Sequence, residues 1–358
     1  MVWSVDIRES MMWAFIKKYF GWRDWAVLVY NSIFENLFVL LYILVREQKW
    51  TTQDLTATIV FLLFSMFSTT YGYLINDYAD MELDRRHGKS NTFENDSRGR
   101  ALWITMLFLF LSVATGWYFS DRMTFLELWL AWIFISTFYS LPPLRFKERG
   151  KPGLLLVVLA QRLLPVLLVF TAFDFHRTGE MVLLAVYVFF RGISSDVNHQ
   201  VEDYENDIKT GTSTFAVSSG RRVARGMLRF SLEMEKVLLL IVLLYITHTL
   251  AWMDFLPLLC WLLTVLLYVG MLLFGYKQQW VDQKDPNPFS HPGTVFQFLH
   301  HSYPSVILSL VLSLILVYFE PVFILLFIFL LWVRRVFSLE MIKKSFVYNV
   351  IRKAGRDA

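Results

Sequence analysis

Residues 55–75, LTATIVFLLFSMFSTTYGYLI, run for 21 positions without a charge and end directly against Asn76-Asp77-Tyr78-Ala79-Asp80-Met81-Glu82-Leu83-Asp84. At 1.5 Å per helical residue such a run crosses a hydrocarbon core of about 30 Å. Inside lipid, only helices and closed barrels satisfy their own backbone polar groups. The whole chain has the same character: of 358 residues, 56% are hydrophobic and 17% aromatic, well above the globular norm. The sequence therefore predicts an all-α, polytopic membrane bundle forming one domain over residues 1–358.

Further uncharged or nearly uncharged runs lie near 25–45, 101–119, 123–141, 154–173, 181–199, 236–252, 254–275, 302–319 and 321–337, which gives nine to ten transmembrane helices. The count turns on the last pair, a C-terminal hairpin at 302–337 beyond a motif-bearing core of about 25–275. Glu320-Pro321 marks either a turn between two crossings or a bend in one. Lysine and arginine favour the cytoplasmic ends of spans. They crowd three loops: Arg85, Arg86, Lys89, Arg98 and Arg100; Arg145, Lys147, Arg149 and Lys151; and Lys209, Arg221, Arg222, Arg225 and Arg229. The alternating loops hold only Arg46 and Lys49, Arg122, and Arg177. Arg334, Arg335, Lys343, Lys344, Arg352, Lys353 and Arg356 in the tail favour ten crossings with both ends inside. The sequence thus predicts a multi-pass protein of the cell (inner) membrane.

The net charge of +4 reflects this topology and anionic headgroups rather than nucleic acid, and no protein partner is expected. One cysteine, Cys260, excludes an intrachain disulfide or thiolate metal site. The N-terminus lacks the pattern of a cleaved signal; residues 5–22 mix Met11, Met12, Trp13, Phe15, Ile16, Tyr19 and Phe20 with Arg8, Lys17 and Lys18, as an interfacial helix does. The histidines, including His291 and His300-His301, show no metal-binding spacing and read as surface or packing residues. Walker, dinucleotide and serine-elbow motifs are absent from the sequence.

Chemistry concentrates in two acidic stretches on the same expected side. On a helix, Asp77, Asp80 and Asp84 fall at i, i+3 and i+7, and Asp203 and Asp207 at i and i+4, so each set shares a face. Like charges this close repel unless a cation neutralises them. Carboxylates are hard oxygen ligands suited to Mg²⁺, which binds through one or two of them plus substrate phosphates; Asn76, at i−4 to Asp80, adds either a neutral oxygen or a hydrogen-bond donor. Asp196, His199 or Gln200, Asp203 and Asp207 would continue the second face inward. A solvated helix end accounts for either motif alone; the pairing points to a metal–diphosphate site.

Tyr139-Ser140-Leu141-Pro142-Pro143-Leu144-Arg145-Phe146-Lys147 closes the fourth span with cations where a phosphate would emerge, although a positive-inside loop explains the charges equally. Glu35 with Asn31 and Asn36, Gln161-Arg162, Arg191 and Asp196 lie at membrane depth, where ionisable groups face a cavity or a partner. Mutual pairing of Arg162, Arg191, Glu35 and Asp196 to fix helix packing is the alternative.

With Asn76-Asp77-x-x-Asp80-x-x-x-Asp84, the Tyr139 to Arg145 loop, and Asp203-x-Glu205-x-Asp207-x-Lys209-x-Gly211 running into Thr214, the chain resembles the UbiA superfamily of intramembrane prenyltransferases. The landmarks cover residues 70–217. The resemblance implies about nine helices around a central cavity with a polar cytoplasmic cap. It implies Mg²⁺ as cofactor, held by Asn76, Asp80, Asp84, Asp203 and Asp207. Asn76, Arg145, Lys147 and Lys209 would contact diphosphate, and Asp77, Asp80, Asp203 and Tyr139 would serve catalysis. The expected partners are a polyprenyl diphosphate, a lipophilic or aromatic acceptor and membrane lipids. One departure bears on the acceptor: the segment after the first motif reads Gly88-Lys89-Ser90-Asn91-Thr92-Phe93-Glu94-Asn95-Asp96-Ser97-Arg98-Gly99-Arg100, not the Arg-Pro-(Ile/Leu)-Pro-Ser-Gly type of the quinone, haem and chlorophyll branches. Phosphoribosyl transfer to a polyprenyl phosphate, terpene cyclisation and divalent-cation transport are the alternative activities.

Overall fold

The computed structural model describes residues 11–29, 31–282, 287–289, 294–336 and Tyr348. The first ten residues, His291, residue 337 and the tail's Lys343, Lys344, Arg352, Lys353 and Arg356 lie outside the described residues. Helices account for the architecture, and among the described residues the only bridge outside helices is a parallel one between Gly150 and Thr214.

The interfacial segment forms α1 (Met11–Phe15) and a π-helical turn, Ile16–Phe20. The run 25–45 does not form one helix. It is divided into α2 (Trp22–Val29), α3 (Ser32–Glu35) and α4 (Leu37–Arg46), because its two asparagines compete for the backbone. The Asn31 side chain caps α3 by accepting from Ile33 N at 2.8 Å, and Asn36 leaves helical geometry at φ −119°. Short polar side chains favour such caps over helix interiors.

The segment α5 (Thr52–His87) is 36 residues long, about 54 Å, so it overshoots a 30 Å hydrocarbon core. Its start is fixed by a reciprocal cap between Thr51 and Asp54. It stops at Gly88, which takes φ 63° behind Arg85, Arg86 and His87. The acidic motif occupies the protruding end. After it come α6 (Arg98–Gly116) and α7 (Met123–Ser140), then α8 (Gly150–Val158) and α9 (Leu164–Ala172), joined through a π-helical turn at Leu159–Leu163.

α10 (Thr178–Glu202) packs along α13 (Arg221–Leu250), with α11 (Tyr204–Thr210) and α12 (Phe215–Ser219) between them. The continuous acidic face expected from Asp196 to Asp207 is interrupted. α10 ends at Glu202, and Asp203, at φ −82° and ψ 0°, is the junction from which α11 starts. Asp207 N still bonds Asp203 O at 2.8 Å, so the i, i+4 backbone relation survives across the junction.

α14 (Phe255–Asp282), α15 (Val295–Gln297), a π-helical stretch Phe298–Leu308, α16 (Ser309–Phe319) and α17 (Ile324–Val333) complete the described chain. Glu320 is extended at φ −145°, and α17 packs back on α16, so Glu320-Pro321 makes a turn rather than a bend. Arg334 is not a free tail charge: it turns inward and donates to the carbonyl of Phe34.

Among the described residues, six helical stretches are long and apolar enough to cross a membrane: Thr52–His87, Arg98–Phe119, Met123–Ser140, Gly150–Ala172, Phe255–Gln279 and Val295–Phe319. Leu37–Arg46 and Pro321–Val333 are shorter apolar helices. The cation-poor turns meet at one end. Arg122 forks onto Asp174 with two 3.0 Å bonds, Lys49 donates to Phe173 O at 2.6 Å, and Arg177 to Glu47 at 2.5 Å. The turns that follow α5, α7 and α10 lie at the other.

Three of the four membrane-depth charges singled out in the sequence, Glu35, Arg162 and Arg191, are paired. Arg162 bonds Glu35, as one reading of the sequence has it, whereas Arg191 takes Glu235 at 2.9 Å, and Glu235 also meets His300 Nδ1 at 2.9 Å. Asp196 joins neither pair: its buried Oδ2 has no hydrogen-bond partner. Burying charge is tolerable only with such partners, and here they tie α3 to the α8–α9 turn and α10 to α13 and the Phe298–Leu308 stretch.

Candidate functional site

Five contacts, four of them between residues distant in sequence, bring the two acidic motifs to one end of the bundle. Ser140 Oγ, at the end of α7, donates to Asn76 Oδ1 of α5 at 2.5 Å. Beyond it the chain crosses Pro142-Pro143, and Arg145 Nη2 reaches Asp80 Oδ1 at 3.2 Å while Lys147 Nζ bonds Asp80 Oδ2. Gly150 N then donates to Ser213 O at 2.9 Å. Finally Thr214 Oγ1 donates to Asp207 Oδ2 at 3.1 Å. The α7–α8 loop is thus the bracket between the motifs, holding the first by its side chains and the second by its backbone.

Glycine is needed at that bracket. Gly150 sits at φ 56°, and a Cβ there would come within 2.8 Å of Ser218 Oγ. Below it, Leu154, Val157, Val158, Ile193, Val197, Phe215, Ala216, Ala224 and Leu228 form a compact apolar cluster from α8, α10, α12 and α13. This packing supports the second motif from the membrane side.

The carboxylates have distinct surroundings. Asp77 is buried, and its Oδ2 accepts from Thr92 Oγ1 at 2.6 Å and Thr92 N at 3.2 Å. Asp80 is held between two cations. Asp84 Oδ2 accepts from Asn91 Nδ2 at 2.7 Å. Asp203 is exposed, as is Lys209, and Asp207 is half-buried. Burial pushes the Asp207 carboxyl above its ordinary range, with the Asp203 charge adding to the rise; the Thr214 bond and Lys89 oppose it. Lys89 belongs to the loop after the first motif, so that loop lies within electrostatic reach of the second. Among the described residues, no three His, Cys, Asp or Glu side chains converge closely enough to hold a cation alone.

Beside the motifs opens a cavity of about 330 Å³. Asn76, Asp77, Tyr73 and Tyr139 line it at the motif end, and Trp132, Phe61, Phe64, Val157 and Leu168 line its apolar length. Trp132 is fixed by donating Nε1 to Ala160 O at 2.8 Å, a bond between α7 and the π-helical turn. Tyr71 faces away from this space, buried, with its hydroxyl on Thr137 at 2.6 Å. The arrangement pairs anion-binding cations and hard oxygen donors with an apolar slot, and suits an amphiphile with a polyanionic head.

The structure gathers Asn76, Asp77, Asp80, Asp84, Tyr139, Arg145, Lys147, Asp203 and Asp207 at one end, with Lys209 on the exposed last turn of α11. The sequence assigns Ser140, Asn91 and Thr92 no role, because a hydroxyl at a helix end or an amide in a loop carries no spacing signal. Thr214 was legible only as the end of a motif.

The UbiA prenyltransferase family pattern matches residues 37–300. The chain belongs to the UbiA prenyltransferase family, whose members are membrane enzymes. A digeranylgeranylglyceryl phosphate synthase of Thermococcus gammatolerans is 28% identical over 169 residues, 46% of this chain and 58% of that protein. The chain therefore spans little more than half the length of this curated relative. Among solved structures, a UbiA homolog from Archaeoglobus fulgidus bound to GPP and Mg²⁺ superposes with a TM-score of 0.53 at 18% identity, over 81% of this chain and 98% of that one. A UbiA homolog from the same organism bound to DMAPP and Mg²⁺ gives 0.51 at 19% identity, over 80% and 99%. They share the fold.

Proposed function

We propose that this protein transfers a polyprenyl group from a polyprenyl diphosphate to a lipophilic or aromatic acceptor, with Mg²⁺, at the cytoplasmic face of the membrane. The observation that carries the reading is that Asp80, held by Arg145 and Lys147, lies about one turn along α5 from Asn76 and Asp77, which with Tyr139 line the end of the mainly apolar cavity. The relative named as a synthase and the neighbours solved with prenyl diphosphates and Mg²⁺ support the donor class.

The donor set fits magnesium. Asp80, Asp84, Asp203 and Asp207, with Asn76, offer hard oxygens only, and an ion that binds through one or two carboxylates and completes its shell with phosphate and water needs no preformed three-carboxylate cage. When bound, Mg²⁺ supplies neutralisation of the charge that builds on the leaving diphosphate. The chain's own residues do the rest. Arg145 and Lys147 exchange their carboxylate partner for phosphate oxygens, so Asp80 becomes a free ligand as the head group arrives. The tail lies along Trp132, Phe64 and Leu168, out of water. As the allylic C–O bond breaks and its electron pair leaves with the diphosphate, the faces of Tyr73, Trp132 and Tyr139 stabilise positive charge on the allylic carbon by about 0.5–2 kcal/mol, and the acceptor attacks that carbon and gives its proton to a carboxylate at the motif end of the cavity, where Asp77 lies.

The test is incubation of purified protein with radiolabelled geranylgeranyl diphosphate, candidate acceptors and Mg²⁺, with and without chelator. Acceptor-dependent, chelator-sensitive release of diphosphate is expected. Release without acceptor means cyclisation, and consumption of phosphoribosyl diphosphate means transfer of that sugar; either result overturns the proposal.

A further inference from the structure

The loop between α5 and α6 does more than connect them. Asn91 is buried, and its amide spans two turns of α5: Nδ2 donates to Asp77 O at 2.9 Å and to Asp84 Oδ2 at 2.7 Å, while Oδ1 accepts from Phe93 N at 2.9 Å. Thr92 adds its hydroxyl and its backbone N–H, both to Asp77 Oδ2. Two successive residues therefore grip the first and last aspartates of the motif, and leave Asp80, between them, to the cations of the α7–α8 loop.

The grip is itself anchored. Phe93 is fully buried, its ring 5.9 Å from that of Tyr19. Asp96, also buried, accepts from Lys18 Nζ at 2.6 Å and Tyr19 Oη at 2.9 Å, and lies 3.4 Å from Arg100 Nε. Lys18 and Tyr19 belong to the π-helical turn of the N-terminal segment. A chain of contacts thus runs from that segment through Asp96 and Phe93 to Asn91 and Thr92, and from them to the acidic motif.

We propose that Asn91 and Thr92 are positioning residues for the metal-binding face of α5, and that the N-terminal segment acts through Lys18 and Tyr19 to keep them in place. The inference rests on the metal–diphosphate reading above and extends it to residues outside both motifs. The physical argument is that carboxylates flexing on a protruding helix end repel one another, whereas charge-assisted hydrogen bonds fix their direction before a cation arrives. Partners of metal-ligating carboxylates typically govern metal affinity 10–100-fold when removed.

The experiment measures Mn²⁺ binding by electron paramagnetic resonance on the full chain in detergent, with geranylgeranyl thiodiphosphate present, alongside the thermal unfolding midpoint. Asn91→Leu, which removes the partner of Asp84, should weaken Mn²⁺ binding about 10–100-fold; Thr92→Val, which acts through Asp77 on the same helix face, should weaken it in the same direction by less, and Thr92→Ser, which keeps the hydroxyl, should restore most of that loss. Tyr19→Phe keeps the ring and loses the hydroxyl's bonds to Asp96 and Lys18; it should weaken Mn²⁺ binding less, in the same direction, with the protein still folded. This variant decides the matter if Thr92→Val or Asn91→Leu fails to fold. Unchanged Mn²⁺ affinity in the folded Thr92 and Asn91 variants, or in Tyr19→Phe where those do not fold, overturns the inference alone. Wild-type protein that binds no Mn²⁺ with the thiodiphosphate overturns the functional reading as well.

Discussion

Ser140 Oγ donates to Asn76 Oδ1 at 2.5 Å and so fixes the end of α7 against the first residue of the acidic motif. Ser140→Ala should cost about 1 kcal/mol, the worth of one such bond, and read as a roughly fivefold loss of kcat/KM in steady-state assays with the fold unchanged.

Asp80→Ala and Asp207→Ala should abolish turnover while the helical circular dichroism and unfolding midpoint stay close to wild type, since both sit on polar helix ends outside the apolar core. The same assay in excess chelator should lose activity, and added Mg²⁺ should return it. Full activity in either variant removes that residue from the metal set.

Arg145→Lys keeps the charge and loses the planar fork. It should raise the donor KM about tenfold, equivalent to roughly 1.4 kcal/mol, and steepen the inhibition of turnover by added salt. Donor KM measured at two ionic strengths checks both effects.

Glu35→Gln leaves Arg162 charged and without its partner at membrane depth. Breaking one side of a buried pair costs about 3–5 kcal/mol, so the unfolding midpoint in detergent should fall sharply. A double variant replacing both residues with apolar side chains should recover most of it.

At the opposite end, the Arg122 guanidinium holds the Asp174 carboxyl below its ordinary range through its two hydrogen bonds. A carboxyl lowered on folding stabilises the folded state above its unfolded pKa, and that contribution disappears as pH falls through the lowered folded value. Asp174→Asn should therefore destabilise the neutral-pH protein by no more than about 1 kcal/mol, because the pair is partly exposed. The difference from wild type should vanish in acid below pH 3.8, as thermal melts across the acidic range would show.

The acidic motifs, the proline loop and most of the apolar runs were legible because each depends on local pattern: spacing on one helix face, or length without charge. What escaped has non-local causes. The first apolar run broke at Asn31 and Asn36, whose capping bonds outweighed its hydrophobicity, and Arg334 looked like a tail cation until Phe34, 300 positions earlier, supplied a carbonyl. Asp203 looked helical by spacing yet became the corner where α10 ends. Glu235 was passed over as a partner for Arg191, since nothing in its own neighbourhood announces the contact across α10 and α13.

The 36-residue length of α5 carries a further consequence. Its acidic end stands clear of the hydrocarbon, while the aromatic positions two to four turns earlier stay within it. Under the proposed function, diphosphate released at that end would face water and a prenylated product would face lipid, so the two would leave by separate doors.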